Sequence, residues 1–154
     1  MNEFRPEKVF AELFAAEVDY VTVGAFAVIA HGVVRATVDV DFIPDTEPAN
    51  LERLAQALSR LDAAPDGEPE TPVSAALLGR DANMRFQSSA GQIDVLCSET
   101  YRHLYPGLRA RAIESEVDGV TLVVVSRNDL IRLKAGTGRD RDLVDIGDLL
   151  ALEE

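Results

Sequence analysis

Cys97 is the only cysteine in the chain, so no internal disulfide can form and the fold must hold without a covalent staple. Tryptophan is absent and aromatics make up 6% of the residues, which leaves a mostly aliphatic core. No apolar run approaches the length of a membrane span. The longest, Tyr20 to Ile29, contains Gly24 and is soon broken by His31. The amino-terminal stretch Met1 to Pro6 lacks the hydrophobic segment of a signal peptide. These absences predict a cytoplasmic protein with no membrane contact.

Positive charge is also scarce. Fifteen Lys and Arg face 27 Asp and Glu, giving a formal net charge of -12, and only Lys8 and Lys134 are lysines. Such a surface repels a phosphate backbone, which disfavours extended nucleic-acid binding. A single nucleotide in a local basic pocket, or a basic protein partner, is compatible with it. The 154 residues suit one domain that buries its own core.

The hydrophobic pattern predicts an alternation of helices and strands. Val9, Phe10, Leu13 and Phe14 recur at helical spacing after Pro6, a residue tolerated in a first helical turn. Tyr20 to Val23 reads as a short buried strand. A short helix follows over Phe26 to His31, closed by Gly32. Val38 to Ile43 is a second strand, stopped by Pro44. Thr46 is placed to cap a third helix whose stripe is Leu51, Leu54, Ala55, Leu58 and Leu61.

Residues 62–72 hold three prolines and a glycine and read as a solvated loop. A short helix over Val73 to Leu78 follows it. Met84 to Gln87 and Gln92 to Cys97 form one expected hairpin, Ala112 to Val117 and Val120 to Val125 another around Asp118-Gly119. Ser126 with Asp129 resembles a capping box opening a helix to Lys134. Gly136-Thr137-Gly138 breaks it, and a last helix runs from Asp140 to Leu152 with Leu143, Ile146, Leu149 and Leu150 inward. This order predicts an α+β fold, a mixed sheet covered by helices.

Asp39 and Asp41 are two apart on a strand, so both carboxylates point to one face while Val40 and Phe42 point to the other. Two adjacent carboxylates repel, and a hard divalent cation such as Mg²⁺ relieves the repulsion. The pair alone is a weak signal, since the chain has fourteen aspartates and a second Asp-x-Asp at Asp140 and Asp142. Its context adds weight. Gly24 at a strand end lets backbone approach a ligand, and the helix after it favours an anion. Asp94 is one acid in an otherwise apolar strand, opposite in direction to Ile93, Val95 and Cys97, and a metal shared with Asp39 and Asp41 would give it a partner.

Val23-Gly24-Ala25, thirteen further residues and Asp39-Val40-Asp41-Phe42 together resemble the signature of the nucleotidyltransferase (polymerase-beta-like) superfamily. The wider string to Phe42, with His31-Gly32 and Arg35-Ala36-Thr37, and the segment Lys134 to Ile146 resemble its small bacterial branch, which includes toxin–antitoxin-associated members. The resemblance implies the nucleotidyltransferase fold over the whole chain. It implies that Asp39 and Asp41 hold two Mg²⁺ or Mn²⁺ ions on a nucleoside triphosphate. Asp94 would complete the second metal site and help activate the attacking hydroxyl. A nucleoside monophosphate would pass to that hydroxyl with release of pyrophosphate.

Ala25 stands where the family usually has Gly or Ser, placing a methyl where phosphate would approach. An alternative is therefore a non-catalytic module of the same fold, acting through a protein partner as part of a toxin–antitoxin pair. Gly24, Ala25, Arg35, Thr37, Lys134 and Arg139 are the candidate nucleotide-binding positions. Each also has a plainer reading. Arg35 could pair with an acid, Thr37 is an ordinary strand residue, and Lys134 and Arg139 could pair with Asp142 and Asp145. His31 and Cys97 read as structural. Tyr101, His103 and Tyr105 either line a substrate pocket or anchor a loop.

Overall fold

A computed structural model of the chain describes residues 3–152, so Met1 and Asn2 of the amino-terminal stretch and the last two residues lie outside the described residues. Helix α1 (Pro6–Ala15) starts on its proline and buries Val9, Phe10 and Leu13, while Phe14 faces outward. The next strand, β1 (Tyr20–Val23), is buried on both faces, as a central strand must be. Helix α2 (Gly24–Ala30) follows it without a loop.

Strand β2 (Asp39–Pro44) alternates as its sequence requires, with Val40 and Phe42 fully buried and Asp39 and Asp41 on the half-exposed face. Helix α3 (Pro48–Arg60) buries Leu51, Leu54, Ala55 and Leu58. Its N-cap is Glu47, with Pro48 at the first position, and not Thr46. The proline fixes the first turn and moves the start one residue beyond the expected cap. Asn50 is buried at this end. Its amide donates to the carbonyls of Asp19 and Asp45 at 2.9 and 2.7 Å and accepts from the Asp19 amide at 2.8 Å, tying α3 to the chain before β1.

The acidic, proline-rich loop contributes a short edge strand, β3 (Ala64–Pro65), that the sequence pattern did not suggest. A single helical turn, α4 (Ala75–Leu78), is capped by Ser74. The first hairpin is β4 (Asn83–Ser88) with β5 (Gly91–Leu96). Next comes α5 (Glu99–Arg111), a helix where loop anchors or pocket residues were expected. Pro106 inside it removes the backbone bond to the Arg102 carbonyl, and Gly107 weakens it further. Both residues argue against a helix locally, and buried Leu108 holds it to the fold.

The second hairpin is β6 (Ile113–Val117) with β7 (Val120–Val124). Helices α6 (Arg127–Ala135) and α7 (Asp140–Ala151) end the chain, α6 capped by the Ser126 hydroxyl on the Asp129 amide.

The seven strands form one mixed sheet in the order β3-β4-β5-β2-β1-β7-β6. Strands β5 and β2 are parallel, as are β1 and β7, and the other neighbours are antiparallel. One continuous core joins Phe10, Tyr20, Phe26, Phe42, Phe86 and Leu54. The α+β, single-domain reading holds. Among the described residues no helix is long and apolar enough to cross a membrane.

In α7 the inward stripe is Asp142, Asp145 and Leu149, and Leu143 and Leu150 are 56% and 64% exposed, contrary to the inward positions expected for them. The stripe carries acids because cations meet it. Lys134 Nζ lies 3.0 Å from Asp142 Oδ1 and 2.9 Å from Asp145 Oδ2, and Arg35 Nη1 lies 2.6 Å from Asp145 Oδ2. Burial alone would raise the Asp142 carboxyl, but hydrogen bonds from Thr137, Lys134 and Arg139 outweigh it and hold the pKa down at about 2. A depressed folded-state value means that the stabilisation is full above the ordinary carboxylate pKa and is lost as pH falls toward 2. Acid unfolding should accordingly show a loss of stability between about pH 4 and 2 that Asp142→Asn lacks. Asp145→Ala, which leaves the half-buried Arg35 without its carboxylate and buried Lys134 with Asp142 alone, should destabilise the protein by about 3 kcal/mol at pH 7 in urea titration.

Candidate metal and nucleotide site

The site sits where the ends of three central strands meet. Asp41 is paired across the antiparallel ladder with Val23 and across the parallel one with Asp94. Two registers therefore converge on one carboxylate. Asp39, opposite Gln92, adds a second from the same face of β2. Ligand oxygens of Asp39, Asp41 and Asp94 come within 4.8 Å of one another, the three acids singled out from the sequence.

Each carboxylate is held differently. Gln92 Nε2 donates to Asp39 Oδ2 at 3.1 Å, and the Thr37 hydroxyl lies 3.3 Å from Asp39 Oδ1. Arg85, directly opposite Asp94 in the β4–β5 ladder, donates from Nε to Oδ1 at 2.9 Å and from Nη2 to Oδ2 at 3.4 Å. Asp41 has no cationic neighbour of this kind, and its Oδ1 is buried without a hydrogen-bond partner. Burial first, then the Asp39 charge, then the hydrogen bond and charge of Asp94 raise the Asp41 pKa to about 8, against a smaller opposing pull from Lys134. A divalent cation is the group that this donor set fits: hard oxygens, mutual repulsion and an orphaned buried acceptor.

Gly24 explains the tightness. It has a φ of +72°, a region that L side chains rarely adopt, and a Cβ built there would stand 2.2 Å from Asp41 Oδ2. The backbone after β1 thus closes directly over the carboxylate.

A cavity of about 410 Å³ opens in front of the acids. All nine residues expected at the site line it: Gly24, Ala25, Arg35, Thr37, Asp39, Asp41, Asp94, Lys134 and Arg139. Five cations, Arg35, Arg85, Lys134, Arg139 and Arg141, line the same cavity as the acids, a mixture that suits a metal-bound polyphosphate. The plainer readings also hold for several of them. Arg35 pairs with Asp145, Lys134 with Asp142 and Asp145, and Arg139 with Asp142 at 2.7 Å. Lys134 is buried, while the Arg139 side chain is 68% exposed with only its Nε engaged.

Three residues of the site escaped the sequence reading. Arg85 and Arg141 line the cavity, and Gln92, outside its lining, steadies Asp39. Arg85 and Gln92 carry no local signal, because their roles come only from strand register. His31 lies elsewhere, its Nε2 donating to the Val125 carbonyl at 2.8 Å, and Cys97 is buried, with its thiol pushed up to about 11 by desolvation. His103 and Tyr105 sit on α5 and do not line the cavity.

Two outcomes follow from this geometry. Gly24→Ala should weaken Mn²⁺ binding at least about tenfold by calorimetry, because its methyl displaces Asp41. In chelated protein, a carboxyl with a raised folded-state pKa supports the fold fully below pH 4, and that support fades as pH rises toward 8. Asp41→Asn should lack this decline, so at pH 8 the metal-free variant should melt above wild type by about 2–4 °C per kcal/mol recovered.

No curated protein sequence matches the chain. Its fold is similar to that of several solved structures, among them the following three. With lincosamide antibiotic adenylyltransferase LnuA, bound to lincomycin, it shares a TM-score of 0.68 at 14% identity, over 99% of this chain and 100% of that one. With the antibiotic-resistance factor ANT(2'')-Ia the values are 0.62 and 13%, over 94% and 80%. With an antigenic nucleotidyltransferase-like protein from Paracoccidioides brasiliensis they are 0.59 and 16%, over 97% and 77%. At these identities the likeness speaks for the fold alone. The sequence itself matches a family model over residues 8–152, nearly its whole length, and the chain therefore belongs to the family described as nucleotidyltransferase of unknown function (DUF6036).

Proposed function

We propose that the protein is a metal-dependent nucleotidyltransferase that moves a nucleoside monophosphate from a nucleoside triphosphate, with ATP the first candidate, to a hydroxyl acceptor. The observation that carries this reading is the convergence of Asp39, Asp41 and Asp94 around an unpartnered buried oxygen, in a cavity also lined by cations. The adenylyltransferase among the structural neighbours supports the choice of ATP.

Asp39 and Asp41 would hold Mg²⁺ or Mn²⁺, with Asp94 completing the set. Bound there, the cations would neutralise the triphosphate and stabilise the charge that develops on the leaving pyrophosphate. The chain's own residues do the rest. Arg35, Lys134, Arg139 and Arg141 line the side of the cavity where the phosphates would lie. Gly24 lets them approach the acids closely. Thr37 and Gln92 fix Asp39, and Arg85 fixes the Asp94 carboxylate. Asp94 accepts the proton of the attacking hydroxyl. The hydroxyl oxygen bonds to the α-phosphorus, and the bond from that phosphorus to the β-bridging oxygen breaks.

A second reading is favoured by Ala25, which lines the cavity where the resembled signature carries Gly or Ser. The protein would then be a non-catalytic module, such as a toxin–antitoxin component acting through a protein partner. Under either reading we place it in the cytoplasm.

Calorimetric titration of ATP, GTP, CTP and UTP with Mg²⁺ separates the two. Binding that needs Mg²⁺ and drops at least about a hundredfold in the double variant Asp39→Asn, Asp41→Asn is the expected result, in line with the loss of paired metal ligands. Absence of binding for all four nucleotides in wild type would overturn the enzymatic reading and favour the module.

A further inference from the structure

Helix α7 has a second face that the fold does not use. Its inward stripe of Asp142, Asp145 and Leu149 is filled from within the chain. Leu143, Val144 and Leu150 point away from that stripe, and each is more than half exposed. Gly147 lies between them, and a Cβ built on it meets no atom within 4 Å. Ala151 is exposed as well. A lone exposed leucine needs no explanation, but these residues gather on one side of one helix.

Their spacing is that of a helix–helix seam. Seven residues separate Leu143 from Leu150, Val144 from Ala151 and Arg141 from Asp148. Seven residues come close to two helical turns, so each pair lies on one line along the helix. Val144, Gly147 and Ala151 form a narrow central line. Leu143 and Leu150 flank it on one edge, Arg141 and Asp148 on the other. The two charges of that second edge are both exposed and stand about 10 Å apart along the axis, too far to pair with each other. Among the described residues neither side chain makes a hydrogen bond or an ion pair.

We propose that this face of α7 docks on the same face of a second copy of the chain, with the two helices antiparallel about a two-fold axis between Val144 and Gly147. A two-fold contact uses one patch twice, so the patch must complement itself. In an antiparallel pair each edge of the seam lies against the same edge of the other helix. Arg141 then meets Asp148 of the second copy, and Asp148 meets Arg141 of the second copy. A parallel pair would instead set the charged edge against the leucines. A wholly basic partner would satisfy Asp148 and oppose Arg141. On the other edge Leu143 packs against Leu150 of the second copy, and the missing side chain of Gly147 lets the backbones approach at the centre. Twelve residues give a seam about 18 Å long. That is short for a permanent dimer, so the association is reversible, with a dissociation constant on the order of 10–100 µM. Arg141 also lines the cavity beside the three acids, so the contact reaches the rim of that cavity. The pairing is independent of any transfer reaction.

Sedimentation equilibrium of the full chain tests this, over about 5–300 µM protein with about 150 mM NaCl to screen the net charge. Wild type is expected to pass from monomer to dimer across that range. Asp148→Arg and Arg141→Asp each set like charges across the seam and should weaken the dimer at least about tenfold. The double variant Arg141→Asp, Asp148→Arg only exchanges the partners and should return to within about threefold of wild type. An equimolar mixture of the two single variants should associate more tightly than either alone. Thermal unfolding of each variant shows that the fold is kept. If Arg141→Asp does not fold, Asp148→Arg and Leu150→Asn decide the matter, and both should weaken the dimer. A wild-type chain that stays monomeric at the highest concentration overturns the proposal. So does a dimer indifferent to Asp148→Arg or Leu150→Asn, or a folded double variant no tighter than the single ones.

Discussion

The structure turns on the placement of one carboxylate. Asp41 lies between the backbone at Gly24 and the side chains of Asp39 and Asp94, with one oxygen buried and unpartnered. Nothing in folding favours this arrangement for its own sake, since desolvation and two like charges all act against ionisation. A central sheet strand makes it possible. The core face of β2 buries Val40 and Phe42 completely, and that burial fixes the direction of Asp39 and Asp41 on the other face. The hydrophobic half of the strand thereby positions the half that carries the chemistry.

The surroundings divide the strain. Asp39 and Asp94 each have polar neighbours, from Gln92 and Arg85, that settle their orientation. Within the cavity the cations are themselves restrained. Lys134 and Arg35 are bound to acids of α7, whose inward stripe is polar for this reason. These cations are thus positioned before any ligand arrives, and their side chains would lose little freedom on meeting one. A chain with a net charge of -12 can in this way still gather Arg35, Lys134, Arg139 and Arg141 around one cavity.

The readable part of this site was written in short-range patterns. The two-residue alternation at Asp39 to Phe42 and the single acid in the apolar run around Asp94 are strand signals that survive any tertiary arrangement. What brings them together is not local. The β2–β5 pairing is parallel, and 46 residues of loop, helix and hairpin lie between Pro44 and Gly91, so its register cannot be read from either strand. Arg85 and Gln92 inherit their roles from that register and from the β4–β5 hairpin, and so left no trace in the sequence. Helix α5 was hidden by Pro106 and Gly107, whose local preferences were overridden by packing at Leu108. Leu143 and Leu150 misled in the opposite sense. Hydrophobicity assigned them inward, while the buried stripe of α7 was already filled by acids whose partners sit on another helix and a loop.

The same sharing of carboxylates gives the site a direction. Asp41 and Asp94 also line a second cavity, of about 490 Å³ and bordered by Tyr101, and Arg85 stands at the junction of the two, holding Asp94 through two donors. A guanidinium in that place fixes which Asp94 oxygen lone pairs stay available, because its planar fork engages one edge of the carboxylate. Arg35, Lys134, Arg139 and Arg141 line one cavity only, while Arg85 lines both, so the two sides of the carboxylates differ in fixed charge. That difference needs no moving part, only the strand registers that bring Asp41 and Asp94 side by side.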